Sequence, residues 1–441
     1  ENLMRQLIQP YIAGAEFHIK RSEKAIEYFA QLGDIQSMLF CLGRSGEKLS
    51  IIDALEFVCE YAPNSRFIEE TLQKYIREIE PLGEFYWEDE LEKTPELDKL
   101  YNLCLKMARC GKSNNPAMWY YTAAFLEDLY GNTASASRLL SLAEKSRSSD
   151  YIKESIKIFR IYLDAKLLPY DSYYENRLFG QLKWLDSKIQ SNIDDKVRNE
   201  TARGYMLFNC ESYYYWNDMM RRILLSEICP RMLDRGMPIR SLQLANMADN
   251  HLLNLVDSIE GKTLDEYRRS CSYNHIDYCG DFFYMMLDAV SINELIAYTK
   301  RACSSNTAFD KFLNSNGYIN QDYFNDIIGT RYLSDMNYSR AVQYLSKVSS
   351  TYQSMLNTEE YMHRDPFSLE GNRLSEYKDY KLSFAQEMLR LERAIDASTD
   401  NNSKAFDMIK YGIGIRNSFT NCWTLTEYKR ESWPSDLAPS L

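Results

Sequence analysis

Glycine is scarce in this chain, 17 of 441 residues, and histidine is scarcer still at 4. Few glycines weaken two readings together: a Gly-rich phosphate loop and a turn-rich β architecture. Few histidines leave little for imidazole-based metal centres. No basic block is present, and 52 Lys and Arg against 63 Asp and Glu leave a formal charge of −11. Such a surface repels phosphate backbones, so no nucleic-acid partner is expected. Long apolar runs are missing too. The most apolar stretch, 282–298, reads FFYMMLDAVSINELIAY, and Asp288, Asn293 and Glu294 interrupt it. It predicts one buried helix and no transmembrane segment. Ten cysteines are too sparse for a disulfide scaffold. Cys41, Cys59, Cys104 and Cys210 sit among Leu, Phe, Val and Met, where a thiol behaves as a small core residue. Cys271 and Cys279 flank His275 at a spacing that matches no common zinc site. Neither a metal nor a cofactor is expected.

What the chain does have is helical periodicity. From Tyr377 the apolar positions run Tyr377, Tyr380, Phe384, Met388, Leu391 and Ile395, one face of a helix at 3.6 residues per turn. Segments 20–32, 37–44, 117–130, 134–146, 151–165, 239–257 and 282–298 read the same way. No alternating β-branched run competes. Pro63, Pro116, Pro169, Gly236-Met237-Pro238 and Pro366 fall between the segments, as helix stops should. The prediction is an all-α chain.

The helices also come in pairs built on one pattern of small and large residues. In 117–146, Ala124 lies seven residues before Gly131, and Ala136, Leu140 and Ala143 follow it at +5, +9 and +12. In 332–350 Met336 holds the glycine position, followed by Ala341, Leu345 and Val348 at the same offsets. Gly236 precedes Ser241, Ala245 and Ala248 likewise, and Gly33-Asp34 separates two short helices near the start. The physics explains the spacing: small residues let antiparallel helices approach, and a large one fills the gap to the next hairpin. The pattern resembles the tetratricopeptide repeat, most specifically at 117–146 and 330–349. The anchors fall 98, 105 and 100 residues apart, each near three units of about 34 residues. The resemblance implies an α-α solenoid of antiparallel hairpins, right-handed. A degenerate array over 1–300 and a tetratricopeptide-like C-terminal segment with a capping end over 301–441 are expected, with one continuous solenoid and a bend near 300–330 both open. Segments 80–98 and 258–275 read as longer connections, the first acidic and aromatic.

A looser resemblance covers 332–428. It rests on Asn357-Thr358, Tyr361-Met362, Arg364-Asp365-Pro366-Phe367, Tyr411-Gly412-Ile413-Gly414, Arg416-Asn417-Ser418 and Cys422-Trp423. These are similar to uncharacterised tetratricopeptide-type exported lipoproteins of gut Bacteroidetes. The resemblance implies a periplasmic or outer-membrane-anchored protein, with the cytoplasm as the alternative, and implies no catalytic residue. The chain opens on Glu1, so a leader or anchor segment is expected to have preceded it.

Three motifs resemble catalytic signatures and fail on context. Cys110-Gly111-Lys112-Ser113 has Lys106 where a phosphate loop needs its first glycine, and a helix runs into it where a strand should, so a helix end and a turn are predicted. His363-Arg364-Asp365 lacks the asparagine, glycine loop and DFG of a kinase, and Asp365-Pro366 is read as a turn that starts a helix. Gly412-Ile413-Gly414 lacks a third glycine and a strand, and is read as close helix packing or a helix end. His18, His251 and His275 are scattered, and none of the many carboxylates stands out as an acid–base pair.

Aromatic clusters are the remaining signal. Tyr170 to Tyr174 and Ser212-Tyr213-Tyr214-Tyr215-Trp216 set rings all around a helix, so some of them should line a groove. Tyr173, Tyr174, Tyr213, Tyr214, Tyr215 and Trp216 are the candidate ligand contacts, with inter-repeat packing as the competing role. The expectation is a non-enzymatic scaffold whose acidic, Tyr-rich groove holds a protein or peptide partner, a basic or amphipathic one by charge. Two alternatives stand beside it: a surface glycan-binding protein of a polysaccharide-uptake system, and an α-helical hydrolase with a carboxylate pair. A sugar site would show exposed Tyr and Trp with few charges, a peptide site Asn, Arg and Glu, and a hydrolase two carboxylates in a deep pocket.

Overall fold

Helix after helix follows from the hydrophobic spacing, and the computed structural model is all-helical apart from a two-residue antiparallel ladder, Ser258–Ile259 against Lys262–Thr263. It describes residues 15–79, 94–191, 213–255, 258–259, 262–263, 283, 286–287, 289–355, 364–369, 380–422 and 425–426. Side chains are described within these ranges except at 15–22, 77–78, 213–215, 217–218, 250–255, 258–259, 262–263, 353–355 and 380. The chain forms two units, Glu1–Glu227 and Ile228–Leu441.

The first unit contains α1 (Ala15–Leu32), α2 (Ile35–Cys41), α3 (Ile51–Tyr61), α4 (Arg66–Ile79), α5 (Pro95–Arg109), α6 (Pro116–Leu129), α7 (Thr133–Lys145), α8 (Asp150–Leu167), α9 (Ser172–Ser191) and α10 (Tyr213–Arg222). Partners are close in sequence: α1 packs on α2, α3 and α4, α3 on α4 and α5, α6 on α5, α7 and α8, and α9 on α10. Trp119, Tyr121, Ala123 and Ala124 of α6 and Ala136 and Leu140 of α7 are fully buried. A short π-helical stretch, Ile223–Ile228, follows α10.

The second unit contains α11 (Cys229–Asp234), α12 (Pro238–Leu255), α13 (Ile292–Ser304), α14 (Ala308–Ser315), α15 (Gln321–Ser334), α16 (Tyr338–Leu345), α17 (Ser350–Met355), α18 (Tyr380–Ala397) and α19 (Asn401–Phe419). Again α11 packs on α12, α12 on α13 and α14, α15 on α13 and α16, and α18 on α16 and α19. The predicted single helix over 282–298 is broken at Val290–Ser291. Ser291 is an N-cap: its hydroxyl accepts from the Glu294 N–H (3.3 Å), and the Glu294 carboxylate accepts from the Ser291 N–H (2.8 Å). This capping box restarts the helix at Ile292 and overrides the apolar continuity that suggested one element.

The expected anchors share one backbone device. Gly33, Gly131, Gly236 and Met336 have φ of 72°, 75°, 70° and 55°, the left-handed region. At each, the next N–H donates to a carbonyl five residues back: Asp34 to Phe29 (2.9 Å), Asn132 to Glu127, Met237 to Met232 and Asn337 to Tyr332 (each 2.8 Å). The anchor N–H itself donates to the carbonyl three back, at Ala30, Asp128, Leu233 and Leu333. This pair of bonds is the Schellman motif, which ends a helix and turns the chain back. It also closes α2 at Gly43, so that helix stops at Cys41, short of the expected 44.

Buried charges pair across long sequence gaps in the second unit. The Asp310 carboxylate, fully buried, accepts from Arg240 (2.8 Å) and Arg301 (2.9 Å), and Arg240 lies over the Phe309 ring. Burial pushes the Asp310 carboxyl up, but the donors Arg301 and Thr307 and the charges of both arginines outweigh it and hold it at about 2. Lys381 of α18 pairs with Asp326 of α15 at 3.0 Å, both buried. Asn246 donates from Nδ2 to the Tyr298 hydroxyl and the Tyr318 carbonyl and accepts the Tyr318 N–H on Oδ1, each at 2.8 Å.

Candidate functional site

Two amphipathic helices of the first unit leave their polar faces side by side. In α3, Ile52, Leu55, Val58 and Cys59 are buried, which turns Asp53, Glu56 and Glu60 outward. The helix starts at Ser50, whose hydroxyl accepts from the Asp53 N–H at 3.1 Å. In α5, Leu97, Leu100, Leu103, Cys104 and Met107 are buried, and Lys99, Asn102 and Lys106 stand outward at i, i+3 and i+7. Thr94 caps it by accepting from the Leu97 N–H (3.2 Å), and Pro95 opens its first turn.

Between the two helices runs an open groove of about 450 Å³, lined by Glu56, Pro95, Asp98, Lys99, Asn102, Leu103 and Lys106. Its charges are partly matched. Lys99 pairs with Asp53 and lies 3.6 Å from Glu56, and Lys106 lies 3.4 Å from Glu56. The hydrogen bond from Lys99, and then those from Ser50, hold the Asp53 carboxyl below its usual range. The Asn102 carboxamide, exposed on the same face, makes no hydrogen bond among the described residues. At the Asp98 side, burial and then the charge of Asp98 raise the Tyr130 phenol. The Tyr101 hydroxyl donates to Glu127 at 2.7 Å, and burial followed by that bond lifts its phenol to about 12. Chemically, the groove offers one free amide, two exposed ammonium groups and carboxylates on both walls. That set suits a chain of alternating donors and acceptors.

The aromatic candidates with described side chains, Tyr173, Tyr174 and Trp216, do not line this groove. Tyr174 is fully buried, with its ring edge-on to Tyr170 at 4.6 Å. Trp216 is buried against Trp184 (5.7 Å, T-shaped), and the Lys188 ammonium lies 5.3 Å from its ring centre. Both rings are taken up by helix packing. Tyr173 is 64% exposed at the start of α9. Tyr213, Tyr214 and Tyr215 lie on α10, and their side chains fall outside the described residues. Among the residues expected to pack hairpins, Ala124, Ala136, Leu140, Ala143, Ala341 and Leu345 are all buried, and Gly131 turns the chain between α6 and α7.

The motifs resembling catalytic signatures take structural places. Cys110 ends α5 and Gly111 follows at φ 72°. Asn64 donates to the Lys112 carbonyl (3.1 Å), and Arg147 donates to the Ser113 (3.1 Å) and Asn114 (2.8 Å) carbonyls, which fixes that loop from outside. Asp365 accepts the Phe367 N–H at 2.9 Å and makes a turn at 364–369 in place of the expected helix start. Gly414 is packed closely, whereas Gly412 faces open space. Cys59 and Cys104 are buried free thiols, and burial lifts that of Cys59 to about 12. Cys210, Cys271, His275 and Cys279, and the side chains of His18 and His251, lie outside the described residues. Among the described residues no group of His, Cys, Asp and Glu could hold a metal ion, and no helix is long and apolar enough to cross a membrane.

The groove itself escaped the sequence reading. Its signal was present as carboxylates at 53, 56 and 60 and donors at 99, 102 and 106, but each set alone reads as a solvated helix face. Only the pairing of α3 with α5 brings them together. No known family matches the chain, and comparison with curated proteins and with solved structures finds no match.

Proposed function

We propose that the chain is a helical-hairpin scaffold, non-enzymatic, that holds an extended peptide segment of a partner protein in the groove between α3 and α5. The observation that carries this reading is the lining: Asn102, free to give and accept one hydrogen bond each way, stands between Lys99 and Lys106 in a groove that Glu56 also lines. A peptide backbone repeats a donor and an acceptor at every residue, which a carboxamide matches in both directions. The mixed charges select side chains of either sign along the strand. Within each unit the helices are read as a right-handed solenoid of antiparallel hairpins. The support is that partners lie next to or near one another in sequence and that four hairpins turn on the same motif. The net charge of −11 favours a basic or amphipathic partner.

The test is a selection of peptides from a displayed random library against the purified chain, followed by titration of the best binder. Asn102→Ala and Lys106→Glu should each weaken it by about tenfold or more, the loss of one well-placed contact. Tyr173→Ala should leave it unchanged. Equal binding by all four proteins would put the seat elsewhere. A glycan array run on the same samples tests the sugar alternative, which needs an exposed aromatic platform; of the six candidate rings, those with described side chains contribute only Tyr173.

A further inference from the structure

The last long helix, α19, carries an apolar stripe on its outer side. Phe406 is 72% exposed and Ile409 63%, Ile413 is half-buried between them and the helix end, and Ala405 and Gly412 are exposed beside them. At 100° per residue these five positions, with Asn402 and Arg416, fall on one face centred on Ile409. The opposite face is spoken for: Gly414 approaches Met388 and Phe367, Lys410 and Asp407 pair with α18 residues, and Asn417 donates to the Pro366 and Ser368 carbonyls.

The sizes along the outer stripe are complementary about its centre. Counting outward from Ile409, Phe406 corresponds to Gly412, Ala405 to Ile413, and Asn402 to Arg416. Each large group has a small one at the mirror position. Close packing within the chain accounts for Gly414 but not for Gly412, where an added Cβ would meet nothing within 4 Å. A glycine in the middle of an exposed helix weakens it, and no close contact among the described residues compensates. The exposed Arg416 sits at one end of the stripe, and the exposed N-cap carboxylate Asp400 at the other.

From this we propose that α19 is a self-association surface, occupied by α19 of a second copy in antiparallel orientation with the two-fold axis at Ile409. The Phe406 ring of each copy fills the notch over the other's Gly412, and Ala405 makes room for Ile413. Arg416 reaches the partner's Asn402 and the N-cap carboxylate of the partner's Asp400. Like charges stay at opposite ends, and the two helix dipoles run antiparallel. One helix pair buries on the order of 1,000 Å², near the lower limit of specific interfaces, so the dimer should be reversible with a Kd on the order of 10 μM.

Sedimentation equilibrium of the whole chain at up to about 100 μM reads the association directly. The expected result is a monomer–dimer equilibrium that Phe406→Glu and Gly412→Phe each shift at least tenfold toward monomer. Circular dichroism should be unchanged in both, because both positions face outward. Ile409→Cys should form a linked dimer on mild oxidation, beyond any formed by the parent chain, because the axis sets this residue against itself. Asn402→Cys, whose mirror position is 416, should not. A chain that stays monomeric at that concentration would overturn the proposal; this is also the outcome if the chain's own residues 423–441 or a different protein cover the stripe. A dimer that neither substitution weakens, or one that Asn402→Cys links as readily as Ile409→Cys, would overturn it equally.

Discussion

Gly329 of α15 and Leu345 of α16 meet so closely that a Cβ on Gly329 would lie 2.5 Å from Leu345 Cγ and Cδ2. Both are buried, and Ala341 sits one turn away at the same crossing. The small residue sets how near the two helices approach, and the large one fills the space the approach leaves.

Gly329→Ala is therefore expected to destabilise by about 1–3 kcal/mol through overpacking, although alanine is the better helix former. Urea unfolding measures it. In the double variant with Leu345→Ala the cost of the extra methyl should largely disappear, so the two effects should not add. Additive effects would mean that the crossing relaxes without strain.

Met336 is the one anchor without glycine, and it holds φ 55° with its side chain exposed. A left-handed conformation costs a non-glycine residue about 1–2 kcal/mol. Met336→Gly should stabilise the second unit by about 0.5–1 kcal/mol, since some of that strain is returned as extra freedom in the unfolded chain. Gly131→Ala should lose about 1 kcal/mol, even though its Cβ would meet no neighbour.

Asp310 ties acid stability to one carboxylate. Its folded pKa of about 2 lies below the ordinary aspartate value of 3.8, so its contribution is complete above about pH 4 and is lost as the pH falls through 2. The shift amounts to on the order of 2 kcal/mol. Asp310→Asn should lower stability at neutral pH and flatten its dependence between pH 4 and 2, as followed by thermal unfolding across that range. An unchanged slope would assign the acid sensitivity to other carboxylates.

Trp216 and Tyr173, both aromatic candidates for ligand contact, should behave oppositely when truncated. Trp216→Ala removes a buried ring from between α9 and α10 and should cost about 3–5 kcal/mol. Tyr173→Ala, at an exposed position, should stay within about 0.5 kcal/mol of the parent. Melting temperatures of the two variants separate these roles.

The all-helical class was legible because spacing along a helix is local, and so were the hairpin turns, because Gly33, Gly131 and Gly236 supply the backbone freedom that a Schellman turn needs. Met336 was legible only through its neighbours Ala341 and Leu345. The break at Ser291 was written in the sequence as Ser-Ile-Asn-Glu, a capping box, but the apolar run around it spoke louder. The groove between α3 and α5 and the Arg240–Asp310 and Asp326–Lys381 pairs could not be read in advance. They join residues about 40 to 70 positions apart, and nothing in a solvated-looking face or a lone charge names its partner. The aromatic clusters divide for a related reason: Tyr174 and Trp216 are buried and Tyr173 is exposed, and a ring's type does not say which side it faces.

The Asp326–Lys381 pair decides how α18 seats. Its apolar stripe, with Phe384, Met388 and Leu391 buried, would again set apolar side chains against the neighbouring helices after a slide by one turn, because they recur at helical spacing. The charges do not forgive such a slide. A displaced Lys381 would leave two opposite charges stranded in an apolar interior, a far larger loss than any gain in packing. The ion pair thus adds little to how tightly α18 is held and much to where along its length it stops.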